Sequence, residues 1–251
     1  MKPRVLASCL LGIVSTMATP VFAEQVLVAV AANFVPPFRE IATEFETATG
    51  HNVRVATGSS GSFYSQIKNG APFDVFFSAD MERPKLLEDE GIGVKDSRFT
   101  YAVGRLVLWS PSAGLVKGEE TLRSKAFKRL AIANPKTAPY GVAAMQVMQK
   151  LALWESLQPQ IVMGESLGQT MGFIASGNAQ LGFVAFSQVL DPKITGQESR
   201  WDVPNNLHEP IKQDVILLTK GKDNAAAKAL MEFMRGPQAK TIIIRYGYEL
   251  K

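Results

Sequence analysis

The sequence predicts an α/β fold of two lobes, each a largely parallel sheet flanked by helices. Two observations carry this. Short β-rich apolar runs alternate with segments of helical periodicity along the chain, and such alternation builds sheets with helices layered on their faces. The alternating elements also fall into two groups, which predicts two lobes.

In chain order, residues 25–30 form a β-rich run followed by Ala31-Ala32-Asn33. Phe34, Phe38, Ile41, Ala42 and Phe45 then share one helical face, which ends at Gly50. Residues 53–56 are the next strand, Gly58-Ser59-Ser60-Gly61-Ser62 its turn, and 63–69 a short helix. Residues 74–77 read as a buried strand and 84–90 as a helix. The second group begins with one strand over 103–109 and another over 130–133. After Pro139-Tyr140-Gly141, a helix over 142–153 places Val147, Met148 and Leu151 on one side. Residues 161–163 lead into Gly164-Glu165-Ser166-Leu167-Gly168 and a helix to 176; strands follow at 181–186 and 215–218. Two helices close the chain, one carrying Ala227, Leu230, Met231 and Met234. The other runs from Gly236-Pro237 to Tyr246-Gly247, punctuated by proline in its first turn and glycine after its last.

The first 23 residues read as an export signal. Lys2 and Arg4 precede an apolar stretch at 5–17, and Val21-Phe22-Ala23 supplies small residues at the −3 and −1 positions of a cleavage site. Leu6-Ala7-Ser8-Cys9 is not a lipoprotein box, because the apolar core follows the cysteine. Removing the signal takes away the one cysteine and two of 27 basic residues. The remaining 25 bases against 23 acids leave +2, too little to indicate nucleic acid. The 228 residues left suit one large domain or two small ones.

Four turns follow strands and precede helices: those at Asn33, Ser59/Ser60, Tyr140/Gly141 and Ser166/Leu167. Ligands of open α/β sheets bind outside the carboxyl ends of strands. A helix start carries unpaired N–H groups and partial positive charge, so converged starts make an anion site. Serine hydroxyls and the asparagine amide add neutral donors. A site of donors alone accepts a fully deprotonated oxyanion and cannot take the proton of a protonated one. Serine or asparagine before a single helix is an ordinary N-cap; four such turns in one chain point to a shared site.

Enzyme signatures are poor. His51 reads as an exposed turn residue and His208 as loop. The run at 58–62 is no nucleophile elbow, since Ser62 stands where glycine is required. It is no phosphate-binding loop either. No Cys/His/Asp spacing suggests a metal centre or a cofactor. Asp74 and Asp80 flank a strand and read as capping or hinge carboxylates.

At these residues the chain resembles the periplasmic molybdate-binding proteins of ABC transporters. Ala31-Ala32-Asn33-Phe34 and Gly58-Ser59-Ser60-Gly61 are similar to family segments. So are the long stretch from Asn69-Gly70-Ala71-Pro72-Phe73 through Asp80, Pro139-Tyr140-Gly141, Gly236-Pro237-Gln238-Ala239, and Arg245-Tyr246-Gly247. The resemblance spans nearly the whole mature chain. It implies a two-lobe, type II periplasmic binding-protein fold with the ligand cleft between lobes. Lobe 1 would comprise 24–103 and 220–251, and lobe 2 would comprise 104–219. It implies capture of molybdate or tungstate as the intact oxyanion, delivery to a membrane permease, a periplasmic monomer and no enzyme activity. The implied donors are Asn33, Ser60, the segment at Tyr140, and the Leu167 backbone N–H, with Ala32 contributing through its backbone. Ala32 stands where many relatives carry a hydroxyl, and Ala185-Phe186 where many carry a tyrosine that reaches the anion. The Tyr140 hydroxyl is the expected replacement. The alternatives are another small oxyanion such as sulfate or phosphate, a secreted enzyme using the same cleft, and the effector-binding half of a transcription regulator.

The cleavage site predicts a mature chain starting at Glu24. Intact-mass measurement of periplasmic material checks this; retained Met1 or a lipid on Cys9 contradicts it.

Overall fold

A computed structural model describes residues 23–250; the expected signal peptide, 1–23, lies almost wholly outside them. Among the described residues, ten strands form two five-stranded sheets. The first contains β1 (Gln25–Ala31), β2 (Asn52–Gly58), β3 (Val75–Phe77), β4 (Phe99–Gly104) and β10 (Ile211–Leu217). The second contains β5 (Leu106–Ser110), β6 (Leu130–Ala133), β7 (Ile161–Gly164), β8 (Leu181–Ala185) and β9 (Ser199–Asp202). The orders are β2-β1-β3-β10-β4 and β7-β6-β8-β5-β9. In each sheet one strand runs against the rest: β10 is antiparallel to β3 and β4, and β5 to β8 and β9. Both of these are strands entered from the other lobe.

The helices are α1 (Val35–Thr49), α2 (Ser60–Lys68), α3 (Glu82–Asp89), α4 (Glu120–Ser124) and α5 (Pro139–Lys150). They continue with α6 (Trp154–Leu157), α7 (Leu167–Ala175), α8 (Phe186–Val189), α9 (Ala225–Arg235) and α10 (Pro237–Arg245). The predicted apolar face of α1 is buried as expected: Phe34, Phe38, Ile41 and Phe45 pack with Phe77, Leu230 and Met231 in one core. Leu108, Leu130, Ile132, Val147, Met148 and Phe183 form the centre of another, in the second lobe. Each such side chain contributes about 1.5–3 kcal/mol on burial.

The structure differs from the sequence reading in four places. The run over 103–109 is two strands in two sheets, broken at Arg105, where the chain first changes lobe. β10 was expected within 104–219 of the second lobe; it is hydrogen-bonded between β3 and β4 in the first sheet. The second crossing therefore lies between β9 and β10. β9 itself was not anticipated, because Ser199–Asp202 is polar and no residue of it is buried. Both histidines are buried: His51 stacks on Phe45 at 6.0 Å, and His208 lies in the second crossing.

Asp214 anchors the returning strand. Its side chain is fully buried, paired with Arg98 and bonded by the Thr100 hydroxyl at 2.6 Å. Beside it, a register shift between Gln213 and Asp214 lets Tyr101 stand unpaired on β4. Removing the cation leaves a buried carboxylate short of its partner. Arg98→Met should cost about 3–5 kcal/mol of stability, read by urea unfolding of the ligand-free protein; a loss below about 1 kcal/mol would show that Thr100 suffices, against the cost of an orphaned buried charge.

Candidate functional site

The four turns singled out in the sequence meet in one place. Ala32, Asn33, Ser60, Tyr140 and Leu167 all line a cavity between the lobes, with Ala79 and Ala138 completing its wall. Asn33, Ser60, Tyr140 and Leu167 are each at most 3% exposed. The enclosure is narrow. About 10 Å3 is open to the centre of a water-sized sphere, which suits one compact group and excludes an organic molecule.

Helix geometry supplies the donors. In α2 the Ser59 hydroxyl caps Ser62 N–H at 3.3 Å, and Gly61 N–H goes to the Thr137 carbonyl. That leaves Ser60 N–H. In α5 the N–H groups of Gly141 and Val142 both reach the Ala138 carbonyl, leaving Tyr140 N–H. In α7 the Ser166 hydroxyl caps Gln169 and its carbonyl takes Thr170, leaving Leu167 and Gly168 N–H, of which Leu167 lines the cavity. The three on cavity-lining residues, Ser60, Tyr140 and Leu167, have no intrahelical acceptor and no other acceptor among the described residues. So Ser59 and Ser166 are the caps, while Ser60 stands inside the cavity wall. Its Oγ accepts from Ala79 N–H at 2.9 Å. With that lone pair used, the hydroxyl proton is the part of Ser60 available to a ligand.

Two side chains are placed differently from expectation. The Asn33 amide nitrogen donates to Gln213 Oε1 at 2.7 Å and to Tyr248 Oη at 3.0 Å, so both its hydrogens are used inside the protein. What Asn33 offers the cavity is its backbone N–H, at the start of the 3-10 turn Ala32–Phe34. The Tyr140 hydroxyl accepts from Gln213 Nε2 at 3.1 Å, and the missing side chain of Gly104 makes room for it. Its oxygen is therefore tied to the crossing strands, and the Tyr140 backbone N–H stands unpaired beside the cavity. Ala185 and Phe186 lie outside the cavity lining; the Phe186 ring sits under Arg105 and Arg200, at 4.6 and 4.7 Å.

Behind the wall runs a buried polar network that sequence reading missed. The Tyr248 and Ser187 hydroxyls both donate to the Asn33 carbonyl, at 2.9 and 2.7 Å. Tyr101 donates to Gln213 Oε1 at 3.0 Å. Their partners lie 112 to 215 residues away along the chain, so no local pattern could have joined them. Gln213 carried one signal, a polar residue within an apolar strand.

The site is neutral and donor-rich. Among the described residues, no lysine, arginine, carboxylate or histidine lines it. Burial, and next to it the neighbouring Tyr248, holds the Tyr140 phenol well above its ordinary value, and burial pushes Tyr248 up to about 12. Both stay protonated at physiological pH. No group of three or more metal-ligating side chains exists among the described residues. Asp74 and Asp80 do not pair: Asp74 accepts from Leu27 N–H at 2.7 Å, and Asp80 caps Arg83 N–H at 2.9 Å.

Two α/β lobes joined by two crossings, with a closed donor-lined cavity at their boundary, define a two-lobe solute-binding protein. Residues 26–249 match the family described as bacterial extracellular solute-binding protein. The chain is 55% identical over 231 residues to the molybdate-binding protein ModA of Azotobacter vinelandii, covering 91% of each chain. It is 50% identical to ModA of Rhodobacter capsulatus, covering 95% of this chain and 93% of that one. The solved structure of an Azotobacter vinelandii periplasmic molybdate-binding protein superposes with a TM-score of 0.86 at 42% identity, covering 90% of this chain and 99% of that one. This chain belongs to the bacterial extracellular solute-binding protein family, in the branch of the molybdate-binding proteins.

The donor assignment separates two substitutions. Ser60→Ala removes a hydroxyl donor to a charged ligand, worth about 1.5–3 kcal/mol, and should weaken anion affinity roughly tenfold or more. Tyr140→Phe strands Gln213 Nε2 instead. It should lower ligand-free stability by about 1–3 kcal/mol and change affinity less than Ser60→Ala does. Calorimetric titration and ligand-free melting of both variants check this; the reverse ranking of affinities would put the phenol, not Ser60, on the ligand.

Proposed function

We propose that this chain captures molybdate, and tungstate equally, in the periplasm and delivers it to the permease of an ABC transporter as a monomeric binding protein without catalytic activity. The observation that carries the reading is the convergence of unpaired helix-start N–H groups and the Ser60 hydroxyl on one closed, uncharged cavity. The names of the relatives support the choice of anion. Lobe 1 on this reading comprises 24–104 and 211–250, and lobe 2 the segment between, with Arg105 and the stretch 203–210 as the crossings.

The chemistry of the site argues for a divalent, fully deprotonated tetrahedral oxyanion. The unpaired N–H groups and the Ser60 hydroxyl at the cavity wall donate, so oxygens of such an ion can be satisfied without a counter-charge. Molybdate and tungstate have nearly the same size and charge, and rigid donors do not separate them. Sulfate is smaller and leaves some donors out of reach, at about 1–3 kcal/mol for each bond unmade. Phosphate near neutrality carries a proton that the N–H donors of the wall cannot accept.

Calorimetry of the ligand-stripped protein against a panel of oxyanions tests this. Molybdate and tungstate should bind alike, and both at least tenfold more tightly than sulfate or phosphate, a gap of about 1.4 kcal/mol or more. Sulfate within a few-fold of molybdate would overturn the assignment, and turnover of any substrate in the same cleft would point to an enzyme.

A further inference from the structure

The two lobes meet on both sides of the cavity, and the two contacts differ in kind. On the side of the crossings, the network of Gln213, Tyr140, Tyr248 and Ser187 joins them. On the other side, by the edge of the first sheet remote from β10 and β4, the first turn of α2 touches the segment before α5. There Gly61 N–H donates to the Thr137 carbonyl at 2.9 Å, and Arg83 reaches the Lys136 carbonyl at 3.4 Å.

Gly61 has no side chain at the point of closest approach. A Cβ on it would stand 2.9 Å from the Thr137 Cα and 3.0 Å from the Thr137 carbonyl oxygen. Both are backbone atoms of the opposite lobe. That backbone cannot yield cheaply, because the turn holding it is tied down internally. Thr137 and Ala138 N–H both bond the Asn134 carbonyl, Lys136 N–H bonds Asn134 Oδ1 at 3.0 Å, and the Thr137 hydroxyl bonds the Glu165 carbonyl at 3.2 Å. The glycine is not there for backbone freedom either. It lies within α2, and its φ is not in the left-handed region. Glycine in a helix is otherwise a disadvantage relative to alanine.

We infer that Gly61 is a closure residue: its bare Cα lets the Thr137 carbonyl dock on the start of α2, and this clasp holds the lobes shut over the ligand without touching it. The inference rests on the reading of the cavity as a molybdate site. Closing the lobes brings Ser60 N–H, on one lobe, within reach of a ligand already held by Tyr140 and Leu167 N–H, on the other. An added methyl group forces the lobes apart on this side and pulls Ser60 away.

The two effects of Gly61→Ala have opposite signs, which makes the test specific. Ligand-free melting should stay unchanged or rise, because alanine favours the helix. Molybdate affinity, read by calorimetry, should fall tenfold or more. Gly172→Ala is the control: it adds a methyl group to α7, where a Cβ meets nothing within 4 Å, and should leave affinity at the wild-type value. Should Gly61→Ala melt lower than wild type, the wild-type protein decides. Exchange of its Gly61 amide proton, followed by NMR, should slow at least tenfold on adding molybdate. Wild-type affinity in Gly61→Ala, or unchanged amide exchange, would overturn the clasp. Failure of the wild-type protein to bind molybdate would instead remove the site reading on which the clasp depends.

Discussion

An α-helix begins with backbone N–H groups that nothing in the helix can accept, and the rest of this structure is arranged around that debt. Most proteins settle it with a capping side chain or solvent. Here Ser59 and Ser166 do so for one N–H each, and the next N–H groups are left facing a closed space between two lobes. A buried donor without an acceptor is costly. The same donors, aimed from several helix starts at one point, become an anion site with no fixed charge of its own. Neutrality matters: a lysine or arginine in the wall would hold any anion, whereas oriented dipoles reward only an ion whose oxygens lie where the donors point.

Two lobes are what make such a site possible. Ser60 and Asn33 belong to the first sheet's side and Tyr140 and Leu167 to the second's. No single lobe holds enough donors to enclose an ion, so enclosure and lobe closure are one event. The crossings supply the axis. Each sheet contains one strand entered from the other lobe, β5 or β10, and the side chains on and beside those strands form the back of the site. Gln213 on β10 receives Asn33 and Tyr101 and donates to Tyr140. The C-terminal Tyr248 grips Asn33 by both its carbonyl and its amide. These residues touch no cavity, yet they fix the turn at Ala32–Phe34 whose N–H groups face it.

How much of this could be read from the amino-acid sequence follows from the range of the interactions involved. The helix starts were legible, because strand, turn and helix are local patterns; Ser60, Tyr140 and Leu167 stand in the cavity wall as placed. The α1 face was legible for the same reason. The roles of the Asn33 amide and the Tyr140 phenol were not. Each looks like a free group in its own turn, yet the Asn33 amide donates to Gln213 and the Tyr140 oxygen accepts from it, on a distant strand. In the run at 103–109 only Gly104 and Arg105 interrupt the apolar residues, and two such residues are too few to show a change of lobe by periodicity. β9 is polar because it lies at a sheet edge with no buried residue, and a strand without an apolar face has no signature. Nor does any local pattern show why position 61 is glycine, because the atoms that need the room are those of Thr137 on the other lobe.

The central claim is that the ion is held by hydrogen bonds from the protein and never bonded at its metal. X-ray absorption at the molybdenum edge of the loaded protein tests it most directly. A first shell indistinguishable from free tetrahedral molybdate, with oxygen neighbours alone at unchanged distances, is the predicted result. An expanded shell, with a protein oxygen, nitrogen or sulfur bonded to the metal, would contradict the account.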